Sequence, residues 1–192
     1  PDGEILVRGP NVMKGYWNDE SSTGEAIDRE KWLHTGDIGM FNERGFLVIT
    51  DRKKHLFVTS GGKNVAPQAI ENLFLRSDLI DQFVLIGDGR MFLSALIVPD
   101  FDRIRAYARS MNLPFANDAE LTKEPAIRAL FENELALLQK HLANFERVRR
   151  FTILNRPLSV ENGELTPTLK VRRKVVESRF KDEIERMYAD FR

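Results

Sequence analysis

Four short stretches hold the side chains best suited to chemistry. ELTPTLKVRRK sets Lys170 behind Thr166-Pro167-Thr168-Leu169 and ahead of Arg172, Arg173 and Lys174. The proline and its polar neighbours keep Lys170 out of a helix. A lysine on such a loop can bring a point charge to a negative oxygen. Taken alone, it reads more readily as one more cation at a solvated helix end. WLHTGDIG contains His34 and Asp37. A Gly-Asp pair between strands commonly forms a turn whose carboxylate caps nearby amides; the same carboxylate can accept two ribose hydroxyls. His34 has no neighbouring histidine in sequence with which to share a metal, and no metal ligands are assigned. DRKK, residues 51–54, is a charged knot. It reads as a solvated connection or as a hinge whose few residues absorb a backbone change. SGGKN places Ser60, Gly61 and Gly62 in a turn too short for a phosphate-binding P-loop. Its two glycines would also let a ligand approach the backbone closely. The chain offers no Ser-His-Asp set and no paired glycosidase carboxylates.

The elements that must position these residues change along the chain. Residues 1–50 read as short strands, GEILVRG, GMFNE and GFLVIT, with a hairpin at Glu43-Arg44-Gly45. So few strands are not expected to close a core unaided. HLFVTS and KNVAP suggest a second hairpin around Gly61-Gly62. Pro67 can open a helix with Ala69, Ile70, Leu73 and Phe74 as its apolar stripe. QFVLIGDG and MFLSALIVP read as two strands joined at Gly87-Asp88-Gly89-Arg90. Residues 101–147 read as helical, interrupted by a polar connection from Leu113 to Thr122. The second helical run places Ile127, Leu130, Phe131, Leu135, Leu138 and Leu142 at helical spacing, a core-packing pattern. RRFTIL is a further strand. A terminal helix turns Val175, Val176, Phe180, Ile184 and Met187 inward. Arg172, Arg173 and Lys174 read as a solvated surface. Basic residues at a helix start oppose the macrodipole, so that helix is expected to begin after them. The order predicts an α+β fold, helices over a mostly antiparallel sheet.

Composition narrows the function classes. The chain has 192 residues, 42% hydrophobic and 30% charged, ordinary for a globular protein. Its 29 basic residues are matched by 29 acidic ones, so no global field holds a nucleic acid. The absence of cysteine removes disulfides, thiolate zinc sites and cysteine nucleophiles. It is compatible with a cytoplasmic setting. No apolar run approaches the roughly 18 residues of a membrane span. Pro1-Asp2-Gly3 leads straight into the strand-like Glu4-Ile5-Leu6-Val7, which reads as a cut inside a longer protein.

In order, these stretches resemble the C-terminal third of the adenylate-forming superfamily. That superfamily takes in acyl-CoA synthetases, firefly luciferase and peptide-synthetase adenylation domains. GEILVRGPNVMKGYW matches its GEL-x-(I/V)-x-G…GY pattern, and WLHTGD its (Y/W)-x-TGD core. GFLVITDRKKHLFVTSGGKNVAPQAIEN matches the long hinge motif, and ELTPTLKVRR the C-terminal lysine motif. The last is usually written with glycine before the lysine; here Leu169 stands in that place. TSGGKNVAPQ with NGELTPTLKVRR is most similar to long-chain fatty acyl-CoA synthetases, in which leucine occupies that position.

The resemblance implies a small β-barrel or hairpin remnant of a large N-terminal AMP-binding domain over residues 1–50. A C-terminal lid domain would follow over 51–192, hinged at 51–54. It implies ATP-dependent activation of a fatty acid to an acyl-adenylate, followed by thioester formation with CoA. Asp37 would hold the ribose hydroxyls and Arg52 the ribose or phosphate. Lys54 would be the hinge, Ser60, Gly61 and Gly62 would line the pantetheine path, and Lys170 would act in the first half only. Magnesium ligands, a phosphate loop and an acyl tunnel are expected upstream, so the segment alone is expected to be inactive. The partners implied are fatty acid, ATP and CoA, with peripheral membrane contact compatible with lipid substrates. Oligomeric state is left open. Two alternatives stand beside this reading: a fatty acyl–AMP ligase passing acyl groups to a carrier protein, and a non-catalytic binding domain that kept the fold.

Overall fold

A computed structural model describes residues 3–189. Pro1 and Asp2 of the Pro1-Asp2-Gly3 start, and the end of the expected terminal helix from Asp190, lie outside the described residues. The chain forms two compact units. The first runs up to Leu56 and includes Ala66–Ala69; the second comprises Phe57–Val65 and the chain from Ile70 onward.

The first unit is built on an antiparallel sheet of β1 (Glu4–Val7), β2 (Leu33–Phe41) and β3 (Leu47–Arg52), in the order β1-β2-β3. The hairpin is where Asn42 and Gly45 predict it. Asn42 Oδ1 accepts the amides of Arg44 and Phe46 at 3.0 and 2.9 Å. The sheet is open rather than a closed barrel, which corrects that part of the expected remnant. Three strands cannot wrap a core, and among the described residues Ile38 is the one fully buried hydrophobic side chain in this sheet. Phe41, Phe46, Leu47 and Ile49 are exposed. The all-β reading misses a short helix, α1 (Glu20–Ala26), begun by Asp19, whose carboxylate accepts the Ser22 amide. It has no buried residue, hence no apolar period to detect.

The second unit has a three-stranded sheet with cores on both faces. Its strands are β6 (Ile80–Ile86), β7 (Leu93–Pro99) and β8 (Val148–Ile153), in the order β6-β7-β8. Every residue of the central β7 is buried, in keeping with a run that is apolar except for Ser94. Side-chain alternation sends Phe83, Leu85, Ala95 and Ile97 to one core and Val84, Ile86, Leu96 and Val98 to the other. The first core is completed by α2 (Pro67–Phe74), α3 (Phe101–Ser110) and α5 (Pro125–Leu138), through residues such as Phe74, Ile104, Ile127 and Phe131. Rings of Phe74 and Phe83 stack there at 4.5 Å between centroids. The second core takes Leu165 together with Val176, Ile184 and Met187 from α6 (Arg173–Arg179) and α7 (Lys181–Tyr188).

The α+β assignment holds, with three differences in detail. β7 and β8 are parallel, joined by a long helical crossover as that pairing demands. Part of the expected polar connection folds as α4 (Asp118–Leu121), capped by Asn117 and burying Leu121. The terminal helix breaks at Phe180 into α6 and α7. Among the described residues, no helix is long and apolar enough to cross a membrane.

Candidate functional site

In the first unit, Asp37 lies within β2, not in a turn. Its Cα is paired with that of Arg52 on β3, and Arg52 Nε donates to Asp37 Oδ1 at 2.8 Å. Within that strand Gly36 takes φ +71°, a left-handed conformation open to glycine. A Cβ at Gly36 would meet only open space, so conformation, not room, calls for glycine. Glu4 on β1 fixes this segment. Its Oε1 accepts the Gly36 amide at 3.1 Å, while Oε2 lies 2.8 Å from Lys53 Nζ and 3.2 Å from His34 Nδ1. The hydrogen bond from Lys53 is the main reason the Glu4 carboxyl is held below its usual range. His34 is thus a partly exposed partner of Glu4.

The DRKK knot is only partly solvated. Asp51 is buried; its Oδ2 accepts the Gln68 amide at 3.1 Å in the first turn of α2, a cap supplied from a distant segment. Arg52 pairs with Asp37. Lys54 is exposed and lies in a 3-10 turn, Lys53–His55.

In the second unit, β4 (Phe57–Val58) and β5 (Asn64–Val65) form the glycine hairpin. The Gly62 amide donates to Thr59 O at 2.8 Å and the Thr59 amide to Lys63 O at 3.0 Å. Gly62 has φ +72°, so a three-residue loop with a left-handed third position accounts for that glycine. Gly61 has no positive φ, and a Cβ there would meet only Thr59 Oγ1 at 3.9 Å. Neither strain nor crowding within the chain explains it. The hairpin is moored to the β6-β7 turn through Ser60 N to Arg90 O and Gly89 N to Val58 O, both 2.9 Å.

Lys170 ends a tight turn that springs from the second core. Leu165 and Val171 pair as an isolated antiparallel bridge, with Leu165 buried in that core. Within the turn, the Thr166 amide donates to Lys170 O and the Leu169 amide to Thr166 O, both at 2.8 Å. Thr166 Oγ1 accepts the Lys170 amide at 3.0 Å and lies 3.0 Å from Thr168 Oγ1. Leu169 has φ +60°; the glycine common at this position in the resembled family answers to that left-handed backbone. The Lys170 side chain is exposed and pairs with none of the described residues.

The cations after Lys170 need correction. α6 begins at Arg173, inside the basic cluster, and Arg173 is largely covered rather than a solvated cation. Its guanidinium lies 4.9 Å from the Phe57 ring centroid, donates to Glu71 Oε1 at 2.7 Å and reaches Leu85 O. Its charge is neutralised by Glu71, so the macrodipole does not exclude it. Sequence reasoning also misses Glu71, Arg156, Glu164 and Arg179 as site-building residues. Their partners lie far off in sequence or in irregular segments, where periodicity carries no signal. Among the described residues, no group of three or more His, Asp or Glu side chains could hold a metal ion.

Asp37 and Arg52 thus meet in one unit, while the glycine hairpin and Lys170 belong to the other. A family model described as AMP-binding enzyme C-terminal domain matches residues 54–192. The chain is 41% identical to Long-chain-fatty-acid–CoA ligase 6 of Rattus norvegicus, over 98% of this chain and 27% of that protein. It is 43% identical to Long-chain-fatty-acid–CoA ligase FadD15 of Mycobacterium tuberculosis, over 97% of this chain and 31% of the relative. The chain thus spans about a third or less of the length of the relatives it matches. Among solved structures, the A domain of carboxylic acid reductase from Segniliparus rugosus, in complex with AMP and a co-purified carboxylic acid, matches with a TM-score of 0.73 and 25% identity. That match covers 99% of this chain and 28% of the other. On the family match and on identity extending nearly end to end, the chain belongs to the AMP-binding enzyme C-terminal domain family.

Proposed function

We propose that the chain is part of a long-chain fatty acid–CoA ligase. Residues 1–50 are read as the end of the AMP-binding domain and 51–192 as the lid, hinged at 51–54. The observation that carries this reading is 41% and 43% identity with two ligases of that name, over 98% and 97% of the chain. In the first half-reaction a fatty carboxylate oxygen attacks the α-phosphorus of ATP; the bond to pyrophosphate breaks and acyl-adenylate forms. In the second, the CoA thiol attacks the acyl carbon, loses its proton, and AMP leaves.

Each residue has a task that its local geometry suits. Asp37 keeps carboxylate lone pairs beyond the one taken by Arg52, enough for two ribose hydroxyls. Arg52, exposed at the other end of that pair, reaches ribose or phosphate. Lys170, braced by its turn and free of an internal counter-ion among the described residues, neutralises charge between carboxylate and α-phosphate. Gly61, which nothing in its own chain requires, lets pantetheine run along the Ser60-Gly61-Gly62 backbone. Lys54 provides the backbone change that exchanges the two loops between half-reactions. ATP, CoA and a fatty acid are the substrates of this reading, and magnesium would bind outside the residues described. A lid without the rest of the protein has no phosphate loop, so the segment alone should not adenylate.

In the complete protein, Lys170→Ala should lower fatty-acid-dependent ATP–pyrophosphate exchange by about 100-fold or more, the scale of one lost transition-state donor. Thioester formation from supplied acyl-adenylate should survive. Exchange at the wild-type rate would sink the reading. Comparing CoA with a phosphopantetheinyl carrier protein as acceptor separates it from a carrier-loading relative.

A further inference from the structure

Glu164 is a buried carboxylate in an irregular segment, with 0% of its side chain exposed. Burying a charge is costly unless its lone pairs are filled, and here they are. Arg156 grips both oxygens, Nη2 to Oε1 at 2.6 Å and Nη1 to Oε2 at 2.9 Å. Arg179 of α6 donates to Oε1 at 3.0 Å and the Ser159 amide to Oε2 at 3.1 Å. The backbone of the same residue is tied on both sides. Its amide donates to Ser159 O at 3.0 Å, and its carbonyl accepts the Arg172 amide at 2.8 Å. One residue therefore joins the segment entering the Lys170 turn, the segment leaving it and the helix that follows.

We propose that Glu164 is a positioning residue for Lys170, its gripped carboxylate setting the base of the turn from which the lysine projects. This rests on the role given to Lys170 above. An apolar residue could fill the same volume, and replacing a buried ion pair by apolar groups often leaves stability unharmed. Apolar packing is non-directional, however. It would fix the depth of the turn without fixing its orientation. Four N–H donors converging on two oxygens specify both. The turn itself is braced by Thr166 and closed by the Leu165–Val171 bridge, so orientation set at Glu164 is passed on to Lys170. A lysine that serves only adenylation then makes Glu164 a determinant of that half-reaction alone.

The test uses the complete protein with Lys170→Ala, Glu164→Gln, Arg179→Gln and the double variant Glu164→Gln/Lys170→Ala. Each is assayed for ATP–pyrophosphate exchange and for CoA-dependent AMP release from supplied acyl-adenylate. Glu164→Gln should lower exchange by roughly 10- to 100-fold, the cost of misplacing a catalytic group by up to an ångström, and leave AMP release within about two-fold of wild type. The double variant should be no slower in exchange than Lys170→Ala, because both changes act through one group. Arg179 is partly exposed, so Arg179→Gln should fold and shift exchange in the same direction by a smaller factor. If Glu164→Gln does not fold, Arg179→Gln with and without Lys170→Ala carries the comparison. Equal loss in both half-reactions, or additive loss in the double variant, overturns the proposal. So does wild-type exchange in Glu164→Gln beside an inactive Lys170→Ala, which leaves the role of Lys170 standing. Wild-type exchange in Lys170→Ala overturns that role and the proposal together.

Discussion

Replacing Leu169 by glycine should strengthen the Lys170 turn, although glycine usually weakens structure. Leu169 sits at φ +60° and is 70% exposed. A non-glycine residue in that region carries about 1–2 kcal/mol of strain. Glycine removes the strain and returns roughly 0.5–1 kcal/mol through the greater freedom of the unfolded chain. Leucine also loses the contact made by its covered part, about 0.5 kcal/mol on a scale where full burial is worth about 2. Alanine loses that contact too but keeps the strain, so the alanine–glycine comparison isolates the backbone. Leu169→Gly should exceed Leu169→Ala in stability by about 0.5–1 kcal/mol. At a right-handed or extended position the order reverses, with glycine below alanine by a similar amount. Leu169→Val, branched at Cβ, should be the weakest. Urea unfolding followed by far-UV circular dichroism reads the order through the helices, most of which belong to the second unit. A Leu169→Gly protein less stable than Leu169→Ala would refute the reasoning.

Three further outcomes follow from the described contacts. The Glu164 carboxyl, held down to about 2 chiefly by its bond to Arg156, stabilises the fold fully above the ordinary carboxylate range near 4.5. That contribution is lost as pH falls toward 2; Glu164→Gln should therefore cost roughly 3 kcal/mol at pH 7, with the gap to wild type closing between about pH 4.5 and 2 in urea titrations. Arg173→Met strips the guanidinium from the buried Glu71 and should lower stability by about 2–4 kcal/mol; adding Glu71→Gln should recover part of the loss, and strict additivity would deny their coupling. Asp37→Asn in the complete protein should raise the KM for ATP by about 10- to 100-fold, the value of a charged hydrogen bond, and an unchanged KM would remove Asp37 from the ribose site.

The regular parts of the fold were legible because each is written locally. The period of Ile127, Phe131 and Leu135 marks α5, the largely apolar run of β7 marks a central strand, and Pro67 marks the start of α2. What stayed hidden depends on partners remote in sequence. Gly36-Asp37 has the composition of a turn, but pairing with β1 and β3 draws it into a strand. Arg173 looks like one of three surface cations until Glu71, Leu85 and Phe57 fold against it. Glu164 carries no periodic mark, since its burial comes from Arg156 and Arg179. For the candidate site, Lys170, Asp37 and Arg52 stood out by motif, and the residues that brace them did not.

The open sheet of the first unit has a practical side. β3 is an edge strand, and Leu47, Val48 and Ile49 in it are all exposed. An uncovered apolar edge is a template for pairing with another chain. Expressed on its own, this polypeptide should be troublesome to keep dispersed at high concentration, with the fault lying in Phe41 to Ile49 and not in the two-cored unit. Lysine at position 47 or 49 would act as a gatekeeper for purification and leave the Lys170 turn untouched.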